Sequence, residues 1–143
     1  MIETVVFRKE HYAQLQAIGS ASGGGTIAIT PEVLKYMERG LSFTMLEDGK
    51  PFAAGGTVPK WAGSSIAFMY LTPASGKHML AVLRAVKKGL EITGGRIEAT
   101  ARADHPAGIR FLKMLGFKIE TPMLHRFGPA PECADHIGFV YQG

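Results

Sequence analysis

Hydrophobic and polar positions follow two rhythms along the chain, and the changes of rhythm mark its elements. Thr4–Phe7 is short and β-branched, which predicts a first strand. Tyr12, Leu15 and Ile18 follow at helical spacing, and Gly19 suits the position just past a helix end. The glycine-rich run 19–25 predicts a flexible loop, because glycine loses the most conformational entropy on ordering. Thr30-Pro31-Glu32 predicts a second helix start. The threonine can accept from free N–H groups, the proline is pre-set for the first turn, and the glutamate suits the positive dipole end. Val33, Leu34 and Met37 form its expected buried face, and Gly40 its end.

From residue 41 the period drops to two. Leu41–Glu47 alternates and ends in Asp48-Gly49, a favoured hairpin turn. Phe52–Val58 returns, Pro59 to Gly63 predicts a second turn, and Ser64–Leu71 is apolar enough for a central strand. Thr72–Lys77 breaks that strand and opens a long helix. Met79, Leu83, Val86 and Leu90 share one face of it, with Arg84, Lys87 and Lys88 largely off that face. Gly94-Gly95 ends the helix and Arg96–Ala103 reads as another strand. Strand, helix and strand in that order predict a right-handed crossover between parallel strands. Asp104-His105-Pro106 predicts a short helix capped by Asp104 or His105, with Ile109, Leu112 and Leu115 inward and Gly116 as its stop. Phe117–Glu120 is a strand, and a proline-rich loop at 128–131 leads to a last strand near Ile137–Tyr141. The order β-α-α-β-β-β-α-β-α-β-β spans residues 1–143 as one domain, without repeat or linker.

Composition narrows this picture. A chain of 143 residues, 46% apolar and 20% charged, is long and apolar enough to bury a core and is not disordered. No apolar run reaches the roughly 18 residues of a membrane span. The opening Met1-Ile2-Glu3-Thr4 lacks the basic-then-apolar pattern of a signal peptide. One cysteine, Cys133, cannot form an internal disulfide or hold zinc alone. Together these predict a reducing, cytoplasmic setting and no membrane partner. The net charge is +4, but residues 76–127 hold ten bases and four acids, so that stretch is +6 and the remainder −2. A basic half favours an anionic partner, a phosphorylated cofactor or nucleic acid; the other reading is a solvated helix face. The bases are not interleaved with aromatic residues, which argues against nucleic acid.

Several residues could carry chemistry. Ser75-Gly76-Lys77 suggests a nucleotide P-loop, but that motif needs Gly at 71 and Ser or Thr at 78, where the chain has Leu71 and His78. A cofactor phosphate site and a plain strand-to-helix turn remain as readings. His78 and His105 can act as base for an amine or acid for a thiolate; for His105 the alternative is a cap or surface role. Tyr70, at the end of the central strand, can donate a proton or simply pack. Cys133 and His136 lack the partners of a metal site, so no metal is expected. Cys133 has no evident activating base and reads as a loop thiol. Trp61 tops a hairpin, either as an interface anchor or folded back on the sheet.

The element order, together with the stretch His105-Pro106-Ala107-Gly108-Ile109-Arg110-Phe111-Leu112-Lys113-Met114-Leu115-Gly116-Phe117, resembles the GCN5-related N-acetyltransferase (GNAT) superfamily. There the corresponding stretch runs Asn, a small residue, Ala, then Tyr-x-x-Leu-Gly-Phe. The resemblance implies an α/β fold, a mixed central sheet of six or seven strands with helices on both faces. It implies acetyl-CoA as co-substrate beside Ser64–Leu71. Met69 and Leu71 would lie near the thioester, and Ser75, Gly76, Lys77 and His78 at the pyrophosphate. Tyr70, His78 and His105 become the candidate proton-moving residues, a small-molecule or peptide amine the acceptor, and a homodimer through the late strands the implied assembly. The chain departs from the superfamily at three points. The phosphate loop, normally Gln/Arg-x-x-Gly-x-Gly/Ala, reads Ala74-Ser75-Gly76-Lys77-His78; the usual Asn is His105; and the thiolate-protonating Tyr is Leu112. The Ile109–Lys113 helix, Ser75-Gly76-Lys77 and the turn at 128–131 are also similar to short phage-encoded GNAT-like proteins. That similarity implies virion protein partners and virion association. Two functions follow: N-acyl transfer to an amine, or a fold kept for binding or virion assembly without transfer chemistry.

Overall fold

The computed structural model describes residues 1–19, 30–128 and 132–142. Most of the glycine-rich run and of the proline-rich turn lies outside these residues. The elements are β1 (Ile2–Val6), α1 (Lys9–Ile18), α2 (Pro31–Arg39), β2 (Leu41–Glu47), β3 (Lys50–Trp61) and β4 (Ser64–Leu71). A 3-10 segment, Pro73–His78, then leads into α3 (Met79–Thr93), β5 (Arg96–Arg102), α4 (Pro106–Met114), β6 (Lys118–Leu124) and β7 (His136–Gln142). The seven strands form one sheet in the order β1-β2-β3-β4-β5-β7-β6. Every pairing is antiparallel except β4 with β5, which is parallel and joined by α3. Among the described residues no helix is long and apolar enough to cross a membrane.

Strand alternation sends side chains to two cores. Tyr70 and Phe68 of β4, with Ala54 and Val58 of β3, pack under α1 and α2 against Phe7, Tyr12, Leu15 and Met37. Met69 and Leu71 point the other way, to Met45, Phe52 and Val82 beneath α3. Ile97, Ala99 and Phe139 meet Leu90, Leu83 and Val86 of α3 and Ile109, Phe111 and Leu112 of α4. Helices therefore cover both faces. Each large apolar side chain fully buried here contributes about 1.5–3 kcal/mol.

Local chemistry sets the ends as the sequence predicts in several places. Thr30 Oγ1 accepts from the Val33 N–H at 3.3 Å, and Gly40 closes α2. Asp48 and Gly49 both take positive φ, as the tight hairpin turn requires. The start of α1 is pinned by His11. Its Nδ1 accepts from the Arg8 N–H (3.1 Å) and therefore also from the buried Thr44 hydroxyl (2.9 Å). Other expectations need correction. Ile18 and Val33 are exposed, because α1 and α2 each bury a narrower stripe, Tyr12 and Leu15 on one, Leu34 and Met37 on the other. Val82, missed by the predicted stripe, is the most deeply buried residue of α3. β3 runs through the predicted turn at Pro59 to Trp61, because pairing with β4 continues past a bulge. Trp61 is 66% exposed, with the Lys60 ammonium 4.3 Å from its ring centre. Neither Asp104 nor His105 caps α4 with its side chain: Asp104 is held by Arg102, and His105 occupies the cap position without a side-chain bond.

A charged ladder crosses the sheet on the side of β5 away from α3 and α4. Lys60 Nζ lies 3.1 Å from Glu98, Arg96 Nε 3.0 Å from Glu98, and Arg96 Nη1 2.7 Å from Glu120. These bonds hold the Glu98 and Glu120 carboxyls below their ordinary value of 4.5. A carboxyl depressed by folding stabilises fully above its unfolded value and loses that contribution as pH falls through the folded one. Low-salt thermal melting should therefore show the midpoint falling progressively as the pH drops below about 5. A flat midpoint over that range contradicts the ladder's role.

Candidate active site

The parallel pair β4–β5 is joined only at its beginning. Ser64, Ser65 and Ile66 pair with Arg96, Ile97 and Glu98; beyond Ile66 no described strand pairs with that edge of β4. β5 continues to Arg102 along β7 instead. The two strands thus splay toward their C-terminal ends, leaving backbone donors and acceptors of Ala67–Leu71 open to an extended ligand. The side chains of Met69 and Leu71 are committed to the core beneath α3, so these two positions can offer backbone only.

The segment that follows β4 is fastened at one atom. The Phe52 carbonyl oxygen accepts from the Thr72 N–H (3.2 Å), the Thr72 hydroxyl (2.7 Å) and the Ser75 hydroxyl (3.0 Å). Thr72 and Ser75 are both buried. The Ser75 side chain therefore faces inward and fixes the turn. Gly76 stands on the open side, where an added Cβ would meet nothing within 4 Å. Lys77 and His78 both turn to Glu47 at the end of β2. Lys77 Nζ is 3.2 Å from Oε1, and His78 Nε2 bonds to Oε2. The His78 ring also packs 5.0 Å from that of Phe52. These bonds, first His78 and then Lys77, hold the Glu47 carboxyl below its ordinary range.

Tyr70 lies on the opposite face of β4, 8% exposed, with its ring edge-to-face against Tyr12 of α1 at 5.9 Å. Burial raises both phenols above their ordinary value of 10, and for Tyr12 the neighbouring Tyr70 adds to the rise. Both are protonated donors at neutral pH. Across the splay, His105 starts α4. Its N–H donates to the Arg102 carbonyl at 3.1 Å, and its ring rests where a Cβ on Gly108 would come within 2.9 Å. Leu112 lies in the hydrocarbon between α4 and the sheet.

The end of β5 is clamped. Arg102 holds Asp104 through Nε and Nη2, both at 3.0 Å, and Glu132 through Nη1 at 2.9 Å. These bonds, Asp104 first, raise the already high Arg102 pKa, so the guanidinium stays charged. The clamp ties the segment before β7 to the mouth of the splay. The fold thus brings Tyr70, the Ser75–His78 turn and His105 to one end of the sheet, with the two histidines on different elements. The sequence reading missed Glu47, Tyr12 and Arg102 as parts of this region. Glu47 is 31 residues from His78, so no local pattern pairs them. Tyr12 carried a helical-spacing signal that marks only burial.

No protein-family model matches the chain, and no curated protein sequence is similar to it. Solved structures are similar over nearly the whole length. The ribosomal-protein-S18-alanine N-acetyltransferase from Escherichia coli superposes with a TM-score of 0.74 at 20% identity, over 98% of this chain and 92% of that one. Ard1 from Thermoplasma volcanium gives 0.76 at 13% identity, over 98% and 96%. Arabidopsis thaliana Naa50, in complex with the bisubstrate analogue CoA-Ac-MVNAL, gives 0.71 at 13% identity, over 99% of both chains. The fold is that of the GNAT acetyltransferases, a single α/β domain around a seven-stranded mixed sheet. None of these three bears on the phage-encoded branch.

Proposed function

We propose that the chain is an N-acetyltransferase that moves an acetyl group from acetyl-CoA to an amine. The observation that carries this reading is the splay of β4 from β5, with the Pro73–His78 turn at its mouth. In this reading acetyl-CoA is a substrate laid along the open edge of β4. The backbone of Met69–Leu71 pairs with its pantetheine arm, and the turn around Gly76 receives its phosphates. Lys77 is the cation of that turn, and His78 stands beside it.

The amine must arrive neutral, and His105 takes its proton directly or through water. Its lone pair attacks the thioester carbonyl carbon, and a C–N bond forms. A backbone N–H of the open β4 edge stabilises the oxyanion. The C–S bond then breaks, and the thiolate takes a proton from Tyr70, because Leu112 has none to give; the new amide nitrogen sheds its extra N–H proton, which returns through water to the Tyr70 phenolate. Peptide N-termini are the first acceptors to test, since the bisubstrate analogue bound by Naa50 joins CoA to a short peptide. The test follows free thiol released from acetyl-CoA with peptides and small amines, with the product weighed by mass spectrometry. Acceptor-dependent thiol release matched by an acetylated amine is the expected result; thiol release that no acceptor accelerates overturns the reading.

A further inference from the structure

The two helical layers differ sharply in charge. α1 and α2 carry three cations (Lys9, Lys35, Arg39) and three acids (Glu10, Glu32, Glu38). α3 and α4 carry five cations (Arg84, Lys87, Lys88, Arg110, Lys113) against Glu91 alone. Their surplus of +4 equals the formal net charge of the whole chain. All five cations are exposed, and none has an ion-pair partner among the described residues. The cations of the sheet's other side, Lys60, Arg96 and Arg102, are by contrast neutralised by carboxylates. Because α3 and α4 pack on the same core cluster, the five free cations lie on one side of the sheet, three on α3 and two on α4.

We propose that this layer is a docking surface for the phosphate backbone of double-stranded nucleic acid. Arg84 stands one helical turn from Lys87 and Lys88, and Arg110 one turn from Lys113, about 5–6 Å in each case, so each can meet a separate phosphate. The side chains rise from rigid helices with no aromatic platform among them. A single strand would need stacking surfaces; a duplex backbone needs only charge. That separates this surface from the nucleic-acid pattern the sequence argued against. An anionic membrane is the weaker match, because the exposed Leu80 and Ile92 lie at opposite ends of α3 and Met114 at the end of α4, with no continuous apolar stripe along either helix.

The test is fluorescence anisotropy with a labelled random-sequence duplex of about twenty base pairs, between about 50 and 200 mM salt. Five phosphate contacts predict that log Kd rises with log salt with a slope of about 4.5. The triple variant Arg84→Glu/Lys87→Glu/Lys88→Glu should weaken binding at least about tenfold. Lys9→Glu/Lys35→Glu/Arg39→Glu, with the same change in net charge on α1 and α2, should weaken it less than about twofold. A neutral triple variant with Gln at 84, 87 and 88 repeats the measurement should charge reversal disturb the fold. Equal losses from the two layers overturn the proposal by reducing it to bulk charge. Absence of duplex binding at the lowest salt overturns it too, as does binding confined to vesicles about one-third phosphatidylserine. The result does not depend on acetyl transfer.

Discussion

Replacing Gly40 with alanine should cost about 3 kcal/mol of stability and about 10 °C in melting midpoint. Gly40 ends α2 at the point where the chain turns into β2, and its backbone is of an ordinary extended kind. The reason for glycine is space. A Cβ there would lie 2.1 Å from the Thr57 carbonyl oxygen and 3.2 Å from its carbon. That oxygen belongs to the middle of β3, which is paired on both sides, to β2 and to β4. Neither a side-chain rotation nor a loop shift can relieve the clash, so α2 must lift from the sheet or β3 must bend. Both responses disturb the core that holds Tyr70 and Tyr12. A midpoint within about 2 °C of the parent chain contradicts this account.

Tyr70→Phe should lower kcat about a hundredfold, about 2.7 kcal/mol in the barrier, and leave acetyl-CoA affinity nearly unchanged. The substitution keeps the ring and its edge-to-face contact with Tyr12, so packing is spared. It removes only the hydroxyl, which burial keeps protonated. A general acid for a departing thiolate must hold its proton until the C–S bond breaks; burial keeps the Tyr70 proton in place at neutral pH while making the phenol a weaker acid, so it can serve only a thiolate formed directly beside it. Tyr12→Phe separates the two phenols: if Tyr70 is the donor, its effect on kcat should be under about tenfold. Steady-state rates for both variants decide the assignment. An undiminished rate in Tyr70→Phe moves the donor to another group.

The parts of the fold legible in the sequence are those governed by local physics. The alternation of Leu41–Glu47, the Asp48-Gly49 turn, the Thr30 cap and the apolar run Ser64–Leu71 each state their structure within a few residues. The step from β4 through α3 to β5 could be read as a parallel crossover because that geometry needs a helix between the strands. What could not be read depends on partners far along the chain. β7 inserts between β5 and β6, where Phe139 is buried with Ile97, Ala99 and Leu115. The reach of β3 to Trp61 depends on pairing with β4 across a bulge. In the candidate site, Gly76 and the turn around it stand out as residue types. The inward direction of Ser75 and the capture of Lys77 and His78 by Glu47 depend on Phe52 and β2, more than twenty residues upstream of Lys77 and His78. Of the two caps the sequence offered for α4, His105 takes the position, without a side-chain bond, while Arg102 holds the Asp104 carboxylate in a bidentate pair.

The most direct test is calorimetric titration with acetyl-CoA of the parent chain and of Gly76→Glu. An added side chain at Gly76 meets nothing within 4 Å and no unusual φ is required there, so the variant should fold and melt like the parent. Its carboxylate would stand where the reading places phosphate, beside Lys77 and His78. The account predicts saturable binding to the parent at about micromolar Kd, about −8 kcal/mol, weakened at least about tenfold in Gly76→Glu. Absence of heat with the folded parent chain, or equal affinity in the two proteins, contradicts it.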